Sequence, residues 1–286
     1  MISIRPVEGL PEIEQGADVG ALIAERTELE DGDVLVVAQK AVSKAEGRVV
    51  MLDEVEPSER ARELAGDEDP RRLEVILRES ARIVRSRPPL VIAETRHGFV
   101  CASAGVDSSN APEAGAVVLL PEDPDASAAR LRERLLELTS AEVGVIVSDS
   151  FGRAWRQGTT DVAIGLAGIR PLLDLKGTRD RAGYELHATV IAVADELAGA
   201  AELAMGKTGG VPAAVIRGFD AAGTRRSCPA RAQPPLRARP RRRSPSRAAR
   251  SRSDLGCPSG RAAAGSRRGR SRRRSFPAAR RGRMSR

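Results

Sequence analysis

The stretch EVGVIVSDSFGRAWRQGTTDVAIGLAGI, residues 142–169, holds two apolar runs with no helical pattern between them. EVGVIVSDS (142–150) reads as a buried strand that ends in polar residues, and DVAIGLAGI (161–169) as a second strand. A regular parallel α/β architecture puts a helix between successive strands, so adjacent strands argue for a mixed one. The same pairing recurs upstream, where PLVIAET (89–95) and HGFVCASAGV (97–106) follow each other closely.

Working outward, ADVGALIAERTEL (17–29) has a helical apolar face, and DGDVLVVAQK (31–40) is a turn followed by a buried strand. SKAEGRVVML (43–52) gives another strand after a Gly-containing bend. Residues 58–84 are charged and helical in period, broken near Pro70. DASAARLRERLLELTSA (125–141) is an amphipathic helix with Asp125 or Ser127 as candidate N-cap. Residues 185–205 read as a helix, GVPAAVIRG (210–218) is a closing strand, and there is no internal repeat. The expected fold class is α+β: mixed sheets with flanking helices, followed by a disordered Arg-rich tail.

Composition divides the chain. The net charge of +8 averages two unlike pieces: residues 1–220 hold 25 basic and 38 acidic residues, whereas 221–286 hold 22 Arg, no Lys and one acid, Asp254. The expected organisation is a globular domain over 1–220 and a tail over 221–286. The tail lacks periodicity and offers little apolar surface to offset its ordering entropy. It fits nonspecific nucleic-acid binding through phosphate neutralisation, with 1–220 as a scaffold. It also fits a shifted reading frame in GC-rich DNA, the account favoured here, which the coding DNA around codon 220 tests. In 1–220 no secretory signal is visible, and no apolar run approaches the ~20 residues of a bilayer span. Cys101 is the single cysteine there, so no disulfide closes inside the domain. A cytoplasmic, non-membrane protein is expected.

Polar residues gather where strands end. Asp107, Ser108, Ser109 and Asn110 follow one, and Asp149 and Ser150 another. MGKTGGVP (205–212) is Gly-rich with one Lys, and AQKAVSK (38–44) carries Lys40 and Lys44. Lys is scarce, with four in 1–220 against 21 Arg, and three of the four fall in these loops. A Lys is a compact, mobile charge suited to phosphate. Carboxylates and hydroxyls suit a hard divalent ion, and glycines let backbone amides approach phosphate. MGKTGG is not a P-loop, because position 201 is Ala where that motif has its first Gly. Plainer readings stand beside each: an Asx turn at Asp107, solvated lysines, surface charges at Arg153 and Arg156, and a packed Cys101. The two histidines, without a cysteine partner, do not make a zinc site, nor is there a nucleophile elbow.

HGFVCASAGVDSSN, VSDSFGRAWRQGTTDVAIGLAGI and MGKTGGVPAAVIRG, with VEGLPEI and VVAQKAVSKAEGR upstream, resemble the gamma-glutamyl ligase family of the deazaflavin coenzyme F-420. The resemblance spans essentially all of 1–220. It implies GTP-dependent, gamma-linked addition of L-glutamate to the lactyl carboxylate of the cofactor precursor, through an acyl phosphate. It also implies Mn2+ or Mg2+, with K+ as a further candidate ion, and a homodimer. Another nucleotide-dependent carboxylate–amine ligase is the nearer alternative.

By that resemblance Asp107, Asp149 and Ser150 correspond to metal ligands, although many relatives have Thr at the last place. Nucleotide contacts correspond to Gly9, Leu10, Pro11 and Glu12, to Gln39, Lys40 and Lys44, to Asn110, and to Met205, Gly206, Lys207, Thr208, Gly209, Gly210, Val211 and Pro212. Some relatives carry Gln at the Lys207 place, so Lys207 is expected on phosphate rather than on a second metal. Arg153 and Arg156 are candidate holders of the anionic substrate. No residue is assigned a catalytic acid–base role. Relatives continue with a mixed acidic and basic segment where this chain has its Arg-rich one, which bears on whether this polypeptide is active.

Overall fold

The structure, a computed structural model, describes residues 1–154 and 156–219. Segment 221–286, read above as a tail, lies outside the described residues. The chain runs through β1 (Ser3–Pro6), α1 (Val19–Ala24), β2 (Val34–Ala38), α2 (Gln39–Ala45), β3 (Val49–Met51), α3 (Glu59–Ala65) and α4 (Pro70–Glu79). It continues through β4 (Ser80–Arg87), β5 (Leu90–Thr95), β6 (Val100–Ala102), β7 (Ala116–Val118), α5 (Pro124–Thr139), β8 (Gly144–Gly152) and β9 (Thr159–Ala167). It closes with β10 (Leu173–Asp174), β11 (Val190–Ile191), α6 (Val193–Met205) and β12 (Ala213–Arg217). The fold is α+β, with mixed sheets and flanking helices, as the adjacent strand pairs led us to expect.

The main sheet has the order β1-β12-β2-β8-β9, and within it β2 and β8 alone are parallel. Successive strand side chains point to opposite faces. On one face Leu35, Val37, Val145 and Val147 pack with Ile23 of α1 and Leu131 and Leu135 of α5. On the other, Val34, Val36 and Ile146 pack with Val193, Leu197 and Ala201 of α6. Both faces are buried, which is why β2 and β8 read as continuous apolar runs rather than alternating ones. A third cluster around Ala61, Leu73, Ile76, Ala93 and Val117 packs α3 and α4 beside the sheet β4-β5-β6 and the pair β3-β7.

β9 lies at the edge of the main sheet, and its outward amides are taken up by helix carboxylates. Asp161 N donates to Glu202 Oε2 at 3.0 Å and Ala163 N to Asp195 Oδ1 at 3.0 Å, both acceptors on α6. Leu166 N donates to Asp125 Oδ1 at 2.9 Å. A strand edge left bare would carry unsatisfied backbone donors.

This arrangement corrects the N-cap expected for α5. The cap is Asp123, whose side chain accepts from Ala126 N at 3.0 Å, because Pro124 fills the first helical position. Asp125 serves the strand, and Ser127 Oγ bonds Glu46 and the Asp123 carbonyl. Three other boundaries move. The helix read over 58–84 ends at Glu79, and SARIVRSR forms β4 on β5, where pairing outweighs the helical period. The helix read from 185 starts at Val193, because Val190–Ile191 pairs with Leu173–Asp174. The strand read over 97–106 stops at Ala102, where Ser103, Ala104 and Gly105 take φ of 52°, 53° and 77°. A Cβ on Gly105 would sit 2.5 Å from Leu120 Cγ, so the turn is built on that glycine. Among the described residues no helix is long and apolar enough to cross a membrane.

Candidate functional site

A cavity of about 300 Å³ opens where β2 ends beside β8, and five segments distant in sequence line it. Asp107 arrives from the turn after β6, Asp149 and Ser150 from within β8, which runs on to Gly152 past the end read at 150, and Gln39, Lys40 and Lys44 from α2. Pro11 and Glu12 come from the segment after β1, and the loop after α6 closes the last side. The parallel register Ala38↔Ser148 sets the end of β2 beside the middle of β8, and Ala38 N donates to the Pro212 carbonyl at 2.8 Å, tying the loop after α6 to β2.

The structure thus brings Asp107, Asp149, Ser150 and Asn110 to one cavity with Pro11, Glu12, Gln39, Lys40 and Lys44. Met205, Gly206, Lys207, Thr208, Gly210, Val211 and Pro212 line it too. Gly9, Leu10 and Gly209 do not: the Gly9 carbonyl accepts from Arg26 Nε at 2.6 Å, and Leu10 packs on the main core. Arg153 and Arg156 are also outside it, and Arg153 turns back on its own loop, donating to the Gly158 carbonyl at 3.3 Å.

Asp107 makes the Asx turn that its spacing suggested, accepting from Ser109 N at 2.8 Å, and lines the cavity as well. Lys40 Nζ lies 2.6 Å from Asp107 Oδ2 and donates to Ser109 Oγ at 2.6 Å. Burial pushes the Asp107 carboxyl up, but the hydrogen bonds from Lys40 and the Ser109 amide prevail and hold it below the usual carboxylate value. Asp149 behaves oppositely. Burial pushes it up to about 7, and the charges of Asp161 and Asp107 add to this against the Ser150 amide and Lys40. Lys44 is paired with Glu12, and Lys207 Nζ donates to Ser150 Oγ.

Three polar lining residues went unread in the sequence: Ser148, Asp161 and Glu202. Asp161 had looked like the polar start of a strand, and Glu202 like one charge on a helix. The signal that finds Asp161 is the strand pairing, which sets it directly across from Ser150.

What the cavity can hold follows from its donors. Its polar side-chain atoms are oxygens, ammonium groups and the amide nitrogens of Gln39 and Asn110, and among the described residues no group of three His, Cys, Asp or Glu could hold a metal ion. A hard divalent cation bound through one or two carboxylates, with phosphate and water completing its shell, fits that donor set. Gln39 points the same way. It is 1% exposed, its Oε1 accepts from Ser43 Oγ at 2.8 Å, and its buried Nε2 has no partner. A buried donor left unpaired is costly, and an acceptor-bearing ligand in this cavity would satisfy it.

Cys101 sits near this centre without joining it. Burial and the Asp149 charge push its thiol up to about 12, and only a thiolate is strongly nucleophilic. In native protein at pH 8 the Cys101 peptide should stay unmodified by iodoacetamide and become labelled in urea. Peptide mass mapping reads this directly, and rapid native labelling would refute the packed reading.

The F420-0:Gamma-glutamyl ligase family model matches residues 9–218. A coenzyme F420:L-glutamate ligase of Methanopyrus kandleri is 52% identical over 221 residues, covering 76% of this chain and 87% of that protein. Proteins of the same name from Methanothermobacter thermautotrophicus and Archaeoglobus fulgidus are each 46% identical. They cover 76% and 78% of this chain, and the matches extend over 89% and 90% of their own lengths. With that match over most of the chain, and five segments meeting at one polar cavity, the chain belongs to the F420-0:Gamma-glutamyl ligase family.

Proposed function

We propose that this protein adds L-glutamate, through a gamma linkage, to the lactyl carboxylate of the coenzyme F-420 precursor. GTP is the phosphoryl donor, Mn2+ or Mg2+ is required, and the working unit is a homodimer. The observation that carries this reading is the convergence of Asp107, Asp149, Ser150 and three lysines on the cavity that also holds the orphaned Gln39 amide.

A carboxylate does not condense with an amine near neutral pH, because oxide is a poor leaving group. In the proposed route a precursor carboxylate oxygen attacks the γ-phosphorus of GTP, and the bond to the β-bridging oxygen breaks, releasing GDP. The glutamate nitrogen then attacks the acyl carbon, the C–O bond to phosphate breaks, and inorganic phosphate leaves with the electron pair. The nitrogen's extra proton passes to water. Bound at Asp107, Asp149 and Ser150, the divalent ion supplies charge neutralisation on the phosphates.

Each protein group has a task that its chemistry fits. Lys40, Lys44 and Lys207 neutralise phosphate charge once their present partners are displaced. The backbone of 205–212 can approach phosphate closely because its glycines carry no Cβ. Gln39 Nε2 donates to a nucleotide acceptor.

The test is incubation of the purified chain with the deazaflavin precursor, glutamate, GTP and Mn2+, followed by mass spectrometry. Glutamylated product and equimolar GDP are expected, with ATP a poor substitute. Asp107→Asn should abolish product while the thermal midpoint changes little. Absence of product in the complete mixture, or full activity of Asp107→Asn, would overturn the reading. A panel of other acids in place of the deazaflavin precursor separates a different carboxylate–amine ligase.

A further inference from the structure

Asp161 is 5% exposed and both its oxygens accept hydrogen bonds: Oδ1 from Ser150 Oγ at 2.6 Å and Oδ2 from Ser148 Oγ at 2.9 Å. A hydroxyl has one proton to give. The Ser150 proton is committed to Asp161, so the Ser150 oxygen meets the cavity as an acceptor, and Lys207 Nζ already uses it so. Were Ser150 free to rotate, it could turn its proton toward the cavity and repel a cation there.

The backbone of Asp161 is fixed as well. Its amide donates at 3.0 Å to Glu202, which lies four residues before Gly206 on α6. Across the sheet, Asp161 stands opposite Ser150 and diagonal to Ser148, whose partner is Ala163. One carboxylate therefore holds two hydroxyls on β8 while its own strand is held by the helix that leads into the Gly-rich loop. Ser148 lines the cavity but is fully buried, and its bond helps to aim Asp161.

From this geometry we infer that Asp161 is a positioning residue for the cation site: it fixes the Ser150 hydroxyl so that the oxygen lone pairs serve as donors. This rests on the cation–phosphate reading of the cavity given above. In this role Asp161 acts through Ser150, and the double variant separates that from direct ligation by the lone pairs that its two serine bonds leave free.

The test is Mn2+ binding to the full chain with GTP and no acceptor, read from the electron paramagnetic resonance signal of free Mn2+. Removing a partner that orients a metal ligand typically weakens metal affinity about 10- to 100-fold. Asp161→Asn, which keeps the shape but offers one acceptor oxygen, should raise the Mn2+ dissociation constant by about tenfold or more. Ser150→Ala should do the same, and the double variant should be no worse than Ser150→Ala, because residues acting through one contact are not additive.

Ser148→Ala should weaken binding in the same direction, and it carries the test if Asp161→Asn does not fold. Thermal midpoints, measured without metal, must lie well above the assay temperature. Unchanged affinity in Asp161→Asn, or in Ser148→Ala if that variant stands in, while Ser150→Ala is weakened overturns the inference alone. Additive losses in the double variant also overturn it, since Asp161 would then act on the ion directly. No Mn2+ binding by the unmodified chain overturns the cation reading and this inference with it.

Discussion

Asp149→Asn should lose activity by on the order of 10³-fold or more and at the same time leave the metal-free protein as stable or more stable. The loss follows from the proposed role: charge stabilisation by a catalytic cation is worth several kcal/mol, and each ~1.4 kcal/mol is tenfold in rate. The stability effect follows from burial. Asp149 is pushed up to about 7 by burial and by the neighbouring Asp161 and Asp107 charges, so its ionised form opposes folding. An amide of the same shape removes that charge, as is common where function and stability compete.

The sign gives a pH signature. A carboxyl whose folded pKa lies above its unfolded value of about 4 imposes no penalty below that value. The penalty grows as pH rises toward 7, where unfolding releases a proton, and is full above it. The gap in chemical-denaturation stability between Asp149→Asn and the parent should therefore widen from pH 4 to pH 7 and then level off. A variant that is active, or one that is clearly less stable than the parent at pH 8, would remove Asp149 from the role given to it.

Gly165→Ala should be the most damaging single methyl in the main sheet. A Cβ at Gly165 would lie 2.2 Å from the Pro124 carbonyl oxygen and 2.3 Å from its carbon. Those are backbone atoms at the start of α5, so no side chain can swing away. The position lies where the β8–β9 register shifts between Val147 and Ser148, and the next residue, Leu166, is held by Asp125. Helix and strand must separate, or the bulge must be rebuilt. Overpacking of this kind costs about 3 kcal/mol at the upper end of the usual range, which in a domain of this size lowers the thermal midpoint by roughly 6–12 °C. Gly209→Ala is the control. It has no positive φ and its nearest neighbour is Val211 Cγ2 at 3.9 Å, so its midpoint should barely move. Equal midpoints for the two variants would refute the close approach of α5 to β9.

These predictions show unequal debts to sequence and structure. The fold class was legible in the chain alone, because the adjacent apolar runs at 142–150 and 161–169 have no helical pattern between them. So were the polar clusters, since carboxylates and hydroxyls crowded at strand ends are visible one residue at a time. Local pattern failed where a tertiary partner outbid it. SARIVRSR looks helical until β5 pairs with it, and Asp125 looks like a cap until Leu166 claims it. Asp161 was illegible for the same reason, since its importance lies in standing opposite Ser150. Only the tertiary structure decided that Asp107 and Asp149, 42 residues apart, line one cavity with Gln39 and the 205–212 loop. The parallel register of β2 on β8, the bridge from Asp107 to Val118 and the bond from Ala38 N to the Pro212 carbonyl bring them together, and pairing register is a property of two strands that neither carries alone.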